Sequence, residues 1–200
     1  MKDATALIIV DVQNDFITGS LATDPDNTLA PRLAEYVRAM APHYAKIVTT
    51  QDWHINPEGH WAEEGEEPNY STTWPVHCKA GEEGSNIETT LASVLDEITP
   101  PVEHFYKGQY LPSYSGFDGV TDKGEDLDAF LKKHFIETVD VVGIATDFCV
   151  KETIDDAVKK GYNVNVLANY TQGVNAENTA ELLNNKFNHD TVNILNNEGV

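Results

Sequence analysis

Two hundred residues with 40% apolar and 23% charged content fit a globular chain with one hydrophobic core, or at most two small ones. A formal net charge of −20 argues against nucleic acid or an anionic membrane as partner, because both need a basic patch. No run of eighteen apolar residues occurs, and two cysteines are too few for a disulfide framework, so a soluble cytoplasmic protein is expected.

The opening stretch MKDATALIIVDVQ meets a carboxylate soon after its apolar run and lacks a small-residue cleavage site. It reads as a first core strand over 6–10 and not as a leader. NTLAPRLAEYVRAM (27–40) follows as an amphipathic helix, with Asn27 or Thr28 as cap and Pro31 in its first turn. KIVTT (46–50) is a second strand, 86–98 a helix, and VEHFYK (102–107) a third strand. A helix over 124–135 leads into VDVVGIAT (139–146), the most apolar strand of the chain. A helix over 149–160, a strand over 164–168, a helix over 175–187 and a short strand over 192–195 complete the pattern.

This alternation predicts an α/β fold: three α/β/α layers around a central, mostly parallel sheet of about six strands. One domain over 1–200 is expected. Its long irregular region, 52–85, is rich in Gly, Pro, Glu, Trp and His and reads as a functional loop insertion.

Ligands of open α/β sheets bind beyond the carboxyl ends of the strands. Asp11 follows the first strand, Asp52 and His54 the second, Lys107 ends the third, and Cys149 follows the most apolar one. From position alone Cys149 reads equally as a buried packing cysteine or as a nucleophile. A strand-to-helix junction favours the second, since unpaired N–H groups and the positive helix end lower a thiol's pKa and can cradle an oxyanion. Asp11 and Lys107, taken singly, are ordinary carboxylate and surface charge. Together with Cys149 they form a complementary set: lysine stabilises the thiolate, and aspartate takes the thiol proton and hands it to a leaving amine.

The loop holds QDWHINPEGHW and STTWPVHCKAG. Asp52 and His54, two apart in an extended segment, point to the same side. With His60 and His77 they make a plausible site for zinc, manganese or iron. Glu64, in the acidic run EEGEEP, is a weaker fifth candidate. Cys78 sits in the loop without strand-to-helix geometry and reads as a packing residue. His43, His104, His134 and His189 have no partner pattern and read as structural or surface residues.

The segments ALIIVDVQNDFITGSLA, TQDWHINPEGHW, YSTTWPVHCKAG, FYKGQYLPSYSGFDG and VDVVGIATDFCVKETIDDAVKKGY together resemble the nicotinamidase (pyrazinamidase) group of the isochorismatase-like cysteine hydrolases, in that family's order over about residues 6–173. The resemblance implies a triad of Asp11, Lys107 and Cys149, and one divalent ion, zinc before manganese or iron, on Asp52, His54, His60 and His77. It also implies an oxyanion hole from the backbone N–H groups of Ala145 and Cys149, with a cis peptide in the Ala145–Thr146 region. Phe16, Trp74 and Tyr114 correspond to aromatics that line a ring pocket. Phe148 stands where relatives often carry histidine, which makes that wall more apolar. The implied activity is hydrolysis of nicotinamide to nicotinate and ammonia in NAD salvage, with pyrazinamide as a further substrate. A small molecule is the implied partner, and relatives vary in oligomeric state, a homo-oligomer among them. Three rival readings are a sister amidase acting on another small amide, a zinc hydrolase with an inert Cys149, and a non-catalytic metal- or ligand-binding module.

Overall fold

A computed structural model describes residues 4–196. Residues 1–3 and 197–200, within the expected 1–200 domain, lie outside the described residues. Six strands form one all-parallel sheet in the order β3-β2-β1-β4-β5-β6. They are β1 (Thr5–Val10), β2 (Lys46–Asp52), β3 (Val102–Lys107), β4 (Thr138–Ile144), β5 (Asn163–Gln172) and β6 (Val192–Leu195). Between them run α1 (Asn14–Ile17), α2 (Leu29–Met40), α3 (Thr89–Leu95), α4 (Leu127–Lys133), α5 (Lys151–Lys159) and α6 (Ala176–Asn184).

Every strand and helix expected from the periodicity is present, and the sheet is wholly parallel. Successive residues of a strand face opposite sides, so a strand covered on both faces must be apolar throughout. Leu7 and Ile9 pack with Leu29, Leu33 and Val37 of α2 and Leu91 of α3. Ala6, Ile8 and Val10 pack on the other face with Leu127 and Leu131 of α4 and Ile154 of α5. All of these are buried, and each large aliphatic side chain so placed contributes about 1.5–3 kcal/mol.

The helices start later than their sequence patterns because charged and polar residues at their N-terminal edges act as caps outside the helix. Glu88 accepts the N–H groups of Thr90 and Leu91, Asp126 that of Ala129, and Asn175 that of Asn178. The cap of α2 differs from expectation. Asp24 Oδ2 accepts Leu29 N–H at 2.7 Å, and Thr28 only donates its hydroxyl to Asp24. Asn27, at φ 47°, instead donates to Glu88 Oε1 at 3.0 Å. A carboxylate reaching back from the preceding turn makes a stronger, charge-assisted cap than either neutral side chain.

The strand expected over 139–146 stops at Ile144, and a π-helical turn (Thr146–Val150) separates it from α5. The cis peptide lies at Ile144–Ala145, one bond before the Ala145–Thr146 position that the resemblance implied. β1 and β4 are neighbours although successive crossovers leave β1 toward β2 and β4 toward β5. The topological switch point, where such sheets open a crevice, therefore lies between Asp11 and Cys149.

Gly143 is what allows β4 to approach β1 there. Its φ is +114°, and a Cβ would overlap the carbonyl oxygen of Val10. Gly143→Ala should therefore cost roughly 2–4 kcal/mol of folding stability, read as a lowered urea midpoint. An unchanged midpoint would mean that the two strands have room to separate.

Candidate active site

Strand register decides which charges meet. Thr50 of β2 pairs with Val10 of β1, and Asp52 of β2 with Lys107 of β3, so three strand ends open into one place. Asp11 turns into the site in a left-handed conformation, φ 48°, with its N–H bonded to Thr50 O at 3.1 Å. Thr50 Oγ1 donates to Asp11 Oδ1 at 2.7 Å. Asp11 Oδ2 lies 2.9 Å from Lys107 Nζ as an ion pair. Lys107, fully buried, also donates to Asp52 Oδ1 and to Ser113 O at 3.2 Å, and its Nζ is 3.6 Å from Cys149 Sγ. Asp11, Lys107 and Cys149, singled out at neighbouring strand ends, thus come together.

Electrostatics correct one expectation. Burial drives the Cys149 thiol well above its ordinary pKa, and Asp11 and Asp52 add to that, against the pull of Lys107. Burial, with help from Asp52, likewise raises Asp11 while Lys107 lowers it. Lys107 loses hydration on burial, yet Asp11, Asp52 and Cys149 together hold its pKa well above normal. For Cys149 the direction of the shift is upward, opposite to the lowering expected from a helix end, because burial disfavours the charged sulfur.

Asp52, His54, His60 and His77 offer ligand atoms that all lie within 4.8 Å of one another, and all four are buried. Carbonyls behind the rings fix their orientation: His54 Nδ1 donates to Gly108 O at 2.5 Å and His77 Nδ1 to Pro75 O at 2.7 Å. That leaves each Nε2 turned toward Asp52 Oδ2, at 3.5 and 3.9 Å. Among the described residues, His54 Nε2 and both nitrogens of His60 are buried with no hydrogen-bond partner within geometric limits. Buried nitrogens of this kind need a partner, and three imidazoles with a carboxylate suit a divalent ion. Desolvation, reinforced by His54 and His77, takes His60 from the ordinary 6.5 down to about 4, so it is a neutral ligand at physiological pH. Glu64 is exposed in its loop and takes no part in this cluster.

A cleft opens onto both groups. All four expected aromatics, Phe16, Trp74, Tyr114 and Phe148, line it beside His60, His77, Ala145 and Cys149. Trp74 Nε1 donates to Tyr114 Oη at 3.0 Å, and Phe148 stands edge-on to Trp74 with centroids 5.1 Å apart. Cys78 is a packing residue as expected: fully buried in the core, its N–H held by Asp15 Oδ2 at 2.7 Å.

Several residues of the site carry no chemical signature in the sequence. Gln13 clamps the end of β2, taking Asp52 N–H on Oε1 at 2.9 Å and donating to Asp52 O and Ser85 O at 2.8 Å each. Gly108, at φ +73°, gives His54 its room, since a Cβ would stand 2.7 Å from the imidazole Cε1. Leu21, Thr23 and Val174 complete the cleft. Only Gly108, directly after a buried-strand lysine, carried any signal.

The chain matches the model of the isochorismatase domain over residues 5–198. It is 43% identical over 179 residues to the nicotinamidase/pyrazinamidase of Mycobacterium tuberculosis, covering 89% of this chain and 91% of that one. Among solved structures, the pyrazinamidase of Pyrococcus horikoshii in complex with zinc superposes with a TM-score of 0.77 at 31% identity, over 96% of this chain and 98% of that one. A yeast nicotinamidase bound to the inhibitor nicotinaldehyde gives 0.79 at 26% identity, over 96% and 99%.

The lowered pKa of His60 has a consequence for metal-stripped protein. A histidine held neutral by the fold contributes no penalty above the unfolded value of 6.5, and destabilises progressively as pH falls from there toward about 4. Chelator-treated wild type should lose about 1–2 kcal/mol more than His60→Gln over that window, read from urea midpoints. Parallel losses would mean that His60 is not desolvated.

Proposed function

The chain belongs to the isochorismatase family, and on that footing we propose that Asp11, Lys107 and Cys149 carry out the hydrolysis of a ring carboxamide held beside a divalent ion. The chain is an amidohydrolase acting on a carboxamide C–N bond, and its reaction converts nicotinamide to nicotinate and ammonia through a cysteinyl thioester. Pyrazinamide presents the same group on a ring of the same size and is expected to be turned over as well.

The observation that carries the residue assignment is the contact of Lys107 Nζ with Asp11, Asp52 and Cys149 at once. Cys149 Sγ attacks the carboxamide carbon as Asp11, hydrogen-bonded to the thiol, accepts its proton. Backbone N–H groups of Ala145 and Cys149 receive the oxyanion. The C–N bond breaks, and Asp11 passes its proton to departing ammonia. Asp11 then takes a proton from water as it adds to the thioester, releasing nicotinate and restoring the thiol. Lys107 keeps Asp11 and Asp52 close despite their like charge.

Asp52, His54, His60 and His77 would hold the ion, which we assign as zinc, and it supplies an orienting Lewis-acid point for the ring nitrogen, directly or through water. Phe16, Trp74, Tyr114 and Phe148 enclose the ring. On this reading residues 52–85 are the metal-binding insertion of a one-domain chain.

Incubation with nicotinamide should release equal ammonia and nicotinate. Cys149→Ala should lower the rate by at least about three orders of magnitude while zinc content stays unchanged. Full activity in Cys149→Ala would sink the thiol mechanism. Release of ammonia from other amides but not from nicotinamide would move the chain to a different substrate.

A further inference from the structure

A clamp outside the triad ties the nucleophile's turn to the rim of the cleft. Asp147, two residues before Cys149, accepts Val174 N–H on Oδ1 and Asn175 N–H on Oδ2, both at 2.9 Å. Each oxygen serves a separate backbone donor, and charge assistance makes such bonds about twice as strong as neutral ones. The clamped segment leaves β5 and opens α6, where Asn175 caps the helix through Asn178 N–H at 2.9 Å. Gly173 permits the approach: a Cβ there would lie 3.1 Å from Asp147 Oδ1 and overlap Thr179 Oγ1.

Opposite this segment stands the loop that carries Leu21 and Thr23. Gln172 Nε2 donates across to Thr23 O at 3.4 Å, so the two segments are joined beside the opening. Thr23 Oγ1 already donates to Phe16 O at 2.9 Å. Leu21 and Val174 therefore present hydrocarbon to the mouth of the cleft. Val174 is 48% exposed, whereas Phe16, Trp74 and Cys149 deeper in the cleft are buried.

We infer that Val174, positioned by Asp147, determines specificity by limiting the size of ring substituent that the cleft admits. The inference rests on the ring-carboxamide reading. With the amide at Cys149 and the ring nitrogen toward His60 and His77, the ring edge left over is the one that meets Leu21 and Val174. Hydrocarbon added to that edge is accepted until it collides with Val174. An anionic substituent there loses hydration against an apolar rim and gains no partner.

Two measurements test this. The first compares kcat/KM for nicotinamide with that for 5-phenylnicotinamide, whose added ring sits on the carbon meta to both the carboxamide and the ring nitrogen. Val174→Ala should raise the ratio of 5-phenylnicotinamide to nicotinamide roughly tenfold, and Val174→Phe should lower it. Asp147→Asn keeps one acceptor and loses the other, and should move the ratio in the same direction as Val174→Ala. A general loss of fold would reduce both substrates together and leave the ratio alone. A ratio unmoved by all three substitutions overturns the inference.

The second measurement needs no substrate. Alkylation of Cys149, mapped by mass, is followed with iodoacetamide and with the bulkier N-phenylmaleimide. Val174→Ala should speed the bulky reagent several-fold relative to the small one, and Val174→Phe should slow it; equal effects on both reagents overturn the inference. Failure of the wild type to hydrolyse nicotinamide would remove the ring-carboxamide reading, while the alkylation ratio would still decide whether Val174 controls access to the thiol.

Discussion

A single buried ammonium organises the site. Lys107 lies between Asp11 and Asp52 with no exposure to solvent and touches the nucleophilic sulfur as well. Burying three charges costs several kcal/mol per ion, recovered only where geometry is close and the remaining polar atoms are bonded. The parallel register of β1, β2 and β3 provides that closeness; Thr50 donates to Asp11, Ser113 O accepts from Lys107, and Gln13 holds the backbone of Asp52. Asp52 belongs to both halves of the site: one oxygen meets the lysine, the other faces His54 and His77. A change in either half is therefore felt in the other.

The same burial sets the proton chemistry. Burial raises both the Cys149 thiol and Asp11, against the pull of Lys107 on each. Lys107 favours the negative sulfur once the attack begins, as its charge cannot be shed in this environment.

The irregular region 52–85 gains its order mostly from backbone pairing within itself, and it is tied to the end of β3 where Trp53 N–H bonds Lys107 O at 2.8 Å. His54 N–H bonds Cys78 O, Trp74 N–H bonds His60 O, and Ala62 N–H bonds Trp74 O. Asn69 adds a tight turn by accepting the N–H groups of Ser71, Thr72 and Thr73. These bonds deliver His60, His77 and Trp74 to one cleft from widely separated points in the chain. Functional loops that long are held in this way because each buried backbone group must find a partner.

Much of this was legible in the sequence. Near-continuous apolar runs alternating with helical stretches at period 3.6 determined the α/β layers, and the motifs around Asp11, Asp52, His54, Lys107 and Cys149 determined which chemistry to expect, because reactive residues after apolar strands must emerge at one sheet edge. Helix ends were less legible, since capping by Asp24 and Glu88 depends on turns that bring them back to the helix. Tertiary structure alone decided the state of the thiol, the clamp of Gln13 on β2, the carbonyls behind His54 and His77, and the rim made by Leu21, Thr23 and Val174. Burial, register and close approach are properties of neighbours in space, and Val174 has no signature in a linear pattern until Asp147 holds it over the cleft.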